Sequence, residues 1–414
     1  MRADRASLAP VRGMRRIMAI FLASAFLLLA LKTLQPISFV LALAVPLIFI
    51  AAVVIIPKLF RADRLLLNLV MFLSALGVLV LCRMDIHKGL TQAINLGIGV
   101  LAMLFFIALM GRVRSWRVLA PMGGIAALLF MMLPLLIGRT IYGAKAWLFV
   151  AGMSIQPSEL GKIALLVLVA HLLSERKVFL AIVFTGLALL ILMKQADLGT
   201  ALVYYATVLI MLFAATGNFV LVGGGLAGAM AGGWLGYRMY AHVRDRLRIW
   251  IDPWAHYQKK GYQIVQALIA MVNGGPWGVG LGVGNAYSVP AYTTDFIYSV
   301  VLNEFGWLFG VLVILLYVVI LLRGISIASR ARSKFHMLLA LGASSMIIIQ
   351  TVIIIGGNIT MFPLTGITLP FVSYGGSSLL SSLSIMGLLL GVANATQAGL
   401  QEDQALAGVE VLRT

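Results

Sequence analysis

Cysteine and histidine, the side chains that build most disulfide, redox and zinc sites, are scarce in this sequence. Its 414 residues include one cysteine, Cys82, and five histidines. A single thiol excludes an intrachain disulfide framework and a cysteine-based zinc cluster, and Cys82 is expected to be a small buried apolar residue. The histidines, at 87, 171, 242, 256 and 336, do not follow the spacing of metal ligands. No metal or other cofactor is therefore predicted, and only a requirement for a divalent cation is left open.

Charged residues are also few, and most of them are basic. Only 11% of the residues are charged, with 31 Lys and Arg against 13 Asp and Glu, for a formal net charge of +18. In a soluble protein this excess would suggest a nucleic-acid partner. However, 62% of the residues are hydrophobic and the mean hydropathy is +1.06. These values are typical of an integral membrane protein whose basic residues lie between its spans, and we predict no nucleic-acid partner.

Long apolar runs define the predicted fold, because a spanning helix needs about 20 largely apolar residues. The sequence predicts an all-α polytopic membrane protein with about twelve transmembrane helices. A basic N-terminal tail precedes the first of them, and no cleavage site typical of a signal peptide follows it. The predicted spans are 15–34, 37–57, 64–82, 91–110, 117–138, 157–174, 178–194, 197–216, 218–240, 296–322, 336–358 and 369–395.

The distribution of Lys and Arg predicts the orientation. With a cytoplasmic N-terminus, eighteen basic residues fall in cytoplasmic segments and six in short external connections, as the positive-inside rule requires. Both termini are then cytoplasmic. The chain divides into a cytoplasmic tail with five helices at 1–138, further helices at 139–241, a large external loop at 242–295, C-terminal helices at 296–395 and a cytoplasmic tail at 396–414.

Ionisable residues at the predicted spans are candidate site residues, since burying a charge in the membrane is costly. Glu159 and Lys162 lie one turn apart on the helix that follows Pro157. They could form a local structural ion pair, or they could line a functional cavity. Asp197 precedes another helix, where an acidic residue is favoured by the helix dipole and needs no further function. Alternatively, Asp197 lines an external cavity shared with the long loop.

The long loop begins with arginines and continues with glycines. Arg244, Arg246 and Arg248 alternate with apolar residues ahead of Trp250 and Trp254, a mixture that suits a helix at the headgroup level. Some of these cations could instead hold an anionic headgroup, because the guanidinium fork matches phosphate geometry. The glycines between 274 and 284 lack the context of a dinucleotide fingerprint. They are interpreted as a re-entrant loop covering a cleft.

Asp295 is the last acidic residue before the next predicted span. It could simply cap that helix, together with Thr293 and Thr294. A carboxylate at a membrane interface can also act as a general base, if partial desolvation raises its pKa. Further along, prolines and glycines interrupt the apolar run 362–380. Broken helices are tolerated at membrane depth only where they line protein or water. A path for the substrate is therefore at least as good an explanation of this run as packing of the helices.

These blocks, in this order, resemble the SEDS family (shape, elongation, division and sporulation), the RodA/FtsW/SpoVE type of bacterial wall polymerase. The resemblance covers roughly residues 145 to 395, and the ordered set is more specific than any one motif. The matching positions are Gln156 to Glu159 with Lys162, Asp197 to Thr200, Asp252-Pro253, Gly261 to Gln263 with Gln266, the glycine run, Thr294 to Ile297 with Glu304 and Gly306, Gly366 to Pro370, and Ser373 to Ser377.

The resemblance implies a peptidoglycan glycosyltransferase that polymerises lipid II, the undecaprenyl-diphosphate-linked disaccharide peptide, at the outer face of the bacterial cytoplasmic membrane. It implies that Asp295 is the catalytic general base and that a class B penicillin-binding protein transpeptidase is the partner. Arg246 or Arg248 is expected to hold the diphosphate. The residues predicted to bind substrate are Glu159, Lys162, Asp197, Arg246, Arg248, Gln266, Glu304 and Ser373.

The chain departs from the family pattern at several places. Five spans precede the Gln156 block where the family usually has three, so two N-terminal helices are additional to a ten-helix core. Tyr292 and Thr293 stand where a basic residue and a histidine are common, and Asn303 replaces the first of two paired glutamates. Two other functions remain open from the sequence. One is a flippase or transporter of lipid-linked precursors, and the other is a catalytically silent scaffold for a transpeptidase.

Overall fold

Apolar helices make up most of the protein. The computed structural model describes residues 9–113, 115–141, 144–150, 153–258 and 261–411. The helices are α1 (Ala9–Thr33), α2 (Pro36–Leu59), α3 (Arg64–Met84), α4 (Ile86–Arg112), α5 (Leu119–Ile137), α6 (Pro157–Ser174), α7 (Val178–Lys194), α8 (Leu198–Thr216), α9 (Phe219–Met239), α10 (Ala241–Ile251), α11 (Tyr262–Gly274), α12 (Ile297–Ser329), α13 (Lys334–Asn358) and α14 (Gly376–Val411).

The predicted spans correspond one for one to helices of the structure. Eleven helices of the described chain are long and apolar enough to cross a membrane, and α7, with 17 residues, is the shorter apolar helix that completes the set. The predicted start of the last span at residue 369 is wrong, because α14 begins at Gly376. The same helix runs on to Val411, beyond the predicted end of the span at 395.

The stretch 359–375 between α13 and α14 is not helical. Pro363 and Pro370 lack the backbone N–H that a helix interior needs, and Gly366 has a left-handed φ of +75°. We call residues 359–375 the break segment. Phe371 and Val372 near its end are fully buried, whereas Met361 and Phe362 near its start are exposed. Protein therefore encloses the part of this irregular backbone that leads into α14, as is required of non-helical backbone at membrane depth.

A small antiparallel sheet was not predicted. Its strands β1 (Arg139–Ile141), β2 (Ala144–Val150) and β3 (Met153–Ile155) lie in the order β1-β2-β3. Lys145 N donates to the carbonyl oxygen of Gln195 at 2.8 Å. The sheet therefore ties the chain ahead of α6 to the turn ahead of α8, and it places the first turns of those two helices side by side.

Helix α3 lies in the centre of the bundle, with nearly every residue buried. The additional helices α1 and α2 pack beside it. Phe21 of α1 contacts Phe72 of α3 and Phe305 and Phe309 of α12, with ring centroids 5.6 to 6.1 Å apart. The N-terminal pair is thus part of the same bundle as the helices that carry the polar motifs.

The glycine run docks on a kink in α12. The kink lies at Gly306, which has a φ of +85°. Val279 N and Gly280 N donate to the carbonyl oxygens of Asn303 and Glu304, both at 3.0 Å. These carbonyl groups would otherwise lack partners where the helix is interrupted. The loop predicted to be re-entrant is therefore held against α12, and it leads directly into the residues before Asp295.

Candidate functional site

The backbone of the loop that carries Asp295 is fixed from two directions. Ser373 Oγ donates to the carbonyl oxygen of Thr294 at 2.7 Å, and Tyr374 N donates to that of Thr293 at 2.9 Å. From the other side, Asn358 Nδ2 donates to the carbonyl oxygen of Asp295 at 2.6 Å. These bonds use main-chain groups of the loop, so the carboxylate of Asp295 is not needed to hold the loop in place.

Helix α10 brings arginine and tryptophan side chains onto the break segment. Arg246 and Trp250, four residues apart, lie on one face of the helix. Arg246 Nη1 donates to the carbonyl oxygen of Thr365 at 2.7 Å, and Trp250 Nε1 donates to that of Thr360 at 2.8 Å. Helix α10, which the sequence predicts to lie at the membrane surface, is thereby hydrogen-bonded to the break segment between α13 and α14.

Arg246 and Asp295 meet beside the break segment, although 49 positions separate them in sequence. Burial raises the pKa of the Asp295 carboxyl, and the hydrogen bond from Thr294 and the positive charge of Arg246 act in the opposite direction. Burial lowers the pKa of Arg246, whereas its attraction to Asp295 and Asp197 favours the charged form. The result is a partly buried carboxylate whose affinity for a proton is increased, with a cation beside it.

Asp197 caps α8 and binds the start of α6. Its Oδ1 accepts from Thr200 N at 3.2 Å, and its Oδ2 accepts from Gln156 Nε2 at 2.8 Å and from Ser158 Oγ at 3.4 Å. The predicted cap is therefore present. Asp197 also attracts Arg246, which places it at the edge of the region around Asp295.

The predicted pair Glu159 and Lys162 forms a buried ion pair within α6, with Lys162 Nζ 2.9 Å from Glu159 Oε2. Both groups have further partners. Ser381 Oγ donates to Glu159 Oε2 at 2.5 Å, and Lys162 Nζ donates to Gln350 Oε1 at 3.2 Å. Gln350 Nε2 in turn donates to the carbonyl oxygen of Thr368 at 2.8 Å. The network joins α6, α13 and α14 to the break segment. Its observed contacts therefore hold the break segment in place.

Glu304 lies two turns along α12 from the loop of Asp295, and it anchors the glycine run. Its Oε1 is 3.0 Å from Arg83 Nε, and its Oε2 accepts from Gly282 N at 3.1 Å. Lys32 Nζ donates to the carbonyl oxygen of Gly282 at 2.5 Å, and Arg83 Nη2 donates to that of Gly284 at 3.0 Å. A carboxylate and two cations thus converge on two loop glycines.

The remaining predicted site residues, Arg248, Gln266 and Ser373, differ in burial and in hydrogen-bond partners. Arg248 is exposed and projects from a different side of α10 than Arg246. Gln266 is half-buried in α11, where its Nε2 donates to Tyr257 Oη at 3.0 Å. Ser373 is buried, and its Oγ both accepts from Leu369 N at 2.8 Å and holds Thr294. Ser373 thus holds the main chain at Thr294, the residue before Asp295.

Sequence reasoning missed several polar residues that build the site. Gln92, buried in α4, donates from Nε2 to the carbonyl oxygen of Ser373 at 3.0 Å and accepts from Gly375 N at 3.3 Å. Gln350 and Asn358 were not selected as site residues either. An uncharged amide inside an otherwise apolar span is the signal that could have identified all three, because such a group needs a partner in the membrane.

Metal-ligating side chains do not cluster in the part of the chain that the structure describes. Within these ranges, there is no group of three or more His, Cys, Asp or Glu residues that could hold a metal ion. Cys82 is buried in α3. The groups that the structure places next to the Asp295 carboxyl include the hydroxyl of Thr294 and the guanidinium of Arg246.

Comparison with known proteins gives concordant results. The sequence pattern of a family of cell cycle proteins, FTSW_RODA_SPOVE, matches residues 58–398. Peptidoglycan glycosyltransferase RodA of Mycobacterium leprae is 33% identical over 365 residues, covering 81% of this chain and 78% of that protein. Stage V sporulation protein E of Bacillus subtilis is 38% identical over 321 residues, covering 73% and 86%.

Solved structures of similar chains show the same arrangement. A chain from a peptidoglycan synthase complex, studied for its coordination of polymerization and crosslinking, aligns with a TM-score of 0.67 and 28% identity. It covers 81% of this chain and 98% of its own length. The rod shape determining protein RodA of Thermus thermophilus aligns with a TM-score of 0.61 and 27% identity, with coverage of 81% and 98%.

Proposed function

This chain belongs to the FTSW_RODA_SPOVE family of cell cycle proteins and is a peptidoglycan glycosyltransferase, and on that premise we propose that it polymerises lipid II with Asp295 as the general base. The observation that carries the proposal is the meeting of Asp295 with Arg246 at the break segment. Both residues lie within the 58–398 region that matches the family.

The proposed step is a displacement at the anomeric carbon of the donor sugar. A hydroxyl group of the acceptor sugar gives its proton to Asp295, and its oxygen forms the new bond to the anomeric carbon. The bond from that carbon to the diphosphate oxygen breaks, and undecaprenyl diphosphate leaves with the electron pair. General-base assistance of this kind typically accelerates a reaction by a factor of about 10² to 10⁴.

The environment of Asp295 suits this role. Burial raises the pKa of its carboxyl, and a base works best when its pKa lies close to the working pH. Arg246 keeps the ionised form accessible by favouring the negative charge. Asn358 and Ser373 hold the main chain of the loop, so the carboxylate remains available to a substrate.

The other predicted residues fall into two groups in this proposal. Arg248 is exposed and Gln266 is half-buried, and both are proposed to contact the lipid-linked substrate, with Arg248 near the diphosphate. The second group acts by positioning the segments around Asp295. This group consists of Glu159, Lys162, Asp197, Glu304 and Ser373.

The sidedness and the partner are also part of the proposal. The positive-inside distribution supports placing Asp295 at the outer face of the cytoplasmic membrane, with both termini cytoplasmic. Crosslinking of the new glycan requires a second activity, and a similar chain belongs to a peptidoglycan synthase complex. We therefore propose a class B penicillin-binding protein transpeptidase as the partner, bound to this chain in the membrane.

The test is polymerisation of purified lipid II by the protein in liposomes. We expect Asp295→Asn to lower the rate by at least about 100-fold, since the amide cannot accept the proton. Glu175→Gln is the control, because it makes the same change from carboxylate to amide at an exposed acid outside the proposed site. Glycan synthesis by Asp295→Asn at the control rate would contradict the role of Asp295. Lipid II transport without polymer formation by the wild-type protein would instead indicate a flippase.

A further inference from the structure

A cavity of about 480 Å³ lies between the ends of α5, α6 and α7 that the proposed orientation places at the cytoplasmic face. Its apolar lining comes from all three helices, and its charged and polar lining consists of Arg117, His171, Glu175 and Lys177. Helix α6 has 18 residues and is about 27 Å long. Ser158, near the other end of this helix, contacts Asp197, so the cavity is separate from the region around Asp295.

His171 provides a buried polar group in the wall of this cavity. It is 6% exposed, and its ring contacts that of Phe335, with centroids 6.4 Å apart. In the part of the chain that the structure describes, no hydrogen bond is formed with the imidazole. A neutral imidazole has one N–H donor and one acceptor nitrogen, and buried polar groups normally have partners. This side chain therefore offers a hydrogen bond to an occupant of the cavity.

Two exposed cations, Arg117 and Lys177, also line the cavity. Within the described ranges, neither of them forms a salt bridge. Glu175 is the acidic residue of the lining and offsets one of the two cations. With a neutral imidazole, the lining then has a net charge of +1. An occupant with one negative charge would neutralise it.

The apolar part of the wall restricts the kind of anion. Leu180 is 41% exposed and Phe184 is half-buried, so the wall formed by α7 continues onto the lipid-facing surface. A free phosphate ion would satisfy the cations and leave this apolar wall uncovered. An anionic phospholipid matches both parts, because its phosphodiester carries one negative charge and accepts hydrogen bonds, while its acyl chains cover apolar surface.

We propose that this cavity binds the headgroup of an anionic phospholipid of the inner leaflet, with the phosphodiester at Arg117, His171 and Lys177 and the acyl chains along α7. Guanidinium, ammonium and imidazole groups all donate to phosphate oxygens, and basic pockets between membrane helices on the cytoplasmic side suit such headgroups. The site goes beyond the proposed function, since it is independent of the step at Asp295. Only the choice of leaflet depends on the proposed orientation.

The test is equilibrium binding of short-chain phosphatidylglycerol to the full-length protein in a neutral detergent. Phosphatidylcholine with the same chains carries a compensating positive charge, and glycerol phosphate has the phosphate without acyl chains. We expect phosphatidylglycerol to bind at least about tenfold more tightly than either. Equal binding of phosphatidylcholine would overturn the recognition of an anionic headgroup. Equal binding of glycerol phosphate would show that the cavity takes a free phosphate instead of a lipid.

The paired substitution Arg117→Gln with Lys177→Gln locates the site. It should raise the Kd for phosphatidylglycerol by at least about tenfold, since each basic side chain near an anionic lipid contributes about fivefold. Lys58→Gln with Arg61→Gln is the matched control, because it removes the same two charges at exposed positions of the same predicted face, outside the cavity. An equal loss in the control, or an unchanged Kd in the cavity pair, would overturn the site.

His171→Leu tests the buried donor without removing a charge from a neutral imidazole. It should raise the Kd for phosphatidylglycerol by about fivefold, because one hydrogen bond to the phosphodiester is lost. Thermal unfolding in the same detergent shows whether this variant folds, and the paired variant at two exposed positions decides the question if it does not. An unchanged Kd in folded His171→Leu protein would show that the headgroup does not occupy the cavity.

Discussion

Asn358 donates a hydrogen bond from its Nδ2 to the main-chain carbonyl oxygen of Asp295 at 2.6 Å. Asn358 is the last residue of α13 and is itself fixed, because its Oδ1 accepts from Ser299 Oγ at 3.0 Å and its Nδ2 also donates to the carbonyl oxygen of Ile354. The end of one membrane helix thus fixes the backbone of Asp295, the proposed general base. This leaves the carboxylate of Asp295 free to interact with Arg246, which lies beside it.

Replacing Arg246 should change the pH dependence of the reaction. Burial raises the pKa of Asp295 and Arg246 opposes this rise, so Arg246→Gln should raise the pKa further. A general base works only when ionised, so activity is lost as the pH falls through its pKa. The acidic limb of kcat/KM against pH should therefore move to higher pH. At high pH, kcat should still be lower than that of the wild type, because the hydrogen bond from Arg246 to the carbonyl oxygen of Thr365 is also lost and the break segment beside Asp295 loosens.

Arg238→Gln is the control for this experiment, since Arg238 is an exposed cation whose guanidinium carbon lies 5.2 Å from the ring centroid of Trp234. Its acidic limb should coincide with that of the wild type. An acidic limb of Arg246→Gln that stays in place or moves to lower pH would show that Arg246 does not act on Asp295.

Removing Lys162 should destabilise the protein more than removing both members of its ion pair. Lys162→Met leaves Glu159 buried without its cation, which typically costs about 3 to 5 kcal/mol. In the double variant Glu159→Gln with Lys162→Met, no uncompensated charge remains, and the loss should be about 1 kcal/mol. Unfolding in mixed detergent micelles measures both values. A double variant as unstable as Lys162→Met would show that the charge imbalance is not the cause.

Removing Lys32 should loosen the glycine run while the bundle stays intact. Lys32 Nζ donates to the carbonyl oxygen of Gly282, and Glu304 accepts from Gly282 N. Lys32→Met removes one of these bonds, which is worth about 1 kcal/mol. Hydrogen exchange of the amides at 277–284 should then speed up by about fivefold, with little change elsewhere.

Lys58→Met provides the comparison for Lys32, because Lys58 is an exposed cation near the end of α2. Exchange in the glycine run should not change in this variant. Equal exchange rates in the wild type and in Lys32→Met would mean that the contact from α1 does not restrain the loop.

The proposed orientation predicts which side of the membrane each end of the bundle faces. Trp277, in the glycine run, is 80% exposed, and Glu175, at the opposite end of α6, is also exposed. In a Cys82→Ala background, an impermeant maleimide should label Trp277→Cys in intact cells. It should label Glu175→Cys only after permeabilisation. The reverse pattern would place Asp295 on the cytoplasmic side.

The helices were largely predictable because membrane spans depend on long apolar runs. The start of α14 was not, since Leu369 and residues 371–372 are as apolar as a span. The structure instead encloses them in the break segment, where Phe371 and Val372 are buried in protein. Hydropathy cannot separate burial in protein from burial in lipid, and Pro370 and Gly375 were the better indicators of the boundary.

The site was predictable where partners lie close in sequence. Glu159 and Lys162 pair as their spacing on one helix predicts. The meeting of Arg246 and Asp295 was not visible, because it depends on how α10 folds back over the break segment. The sequence placed these two residues at opposite ends of a long loop, with separate roles at the diphosphate and at the acceptor. Arg83 and Gln92, in α3 and α4, approach this region only through the packing of the bundle.

The apolar contacts of the additional helices α1 and α2 contribute less solvation energy to folding than similar contacts in a soluble domain would. These contacts, such as that of Phe21 with Phe309, replace lipid rather than water, and lipid tails are as apolar as leucine. Trimming the chain to residues 58–398 would therefore forfeit little solvation energy. It would remove the positive charge that Lys32 places on Gly282, and so alter the electrostatic balance around Glu304. Through Lys32, the N-terminal helices thus place an ammonium group on the loop that leads to Asp295.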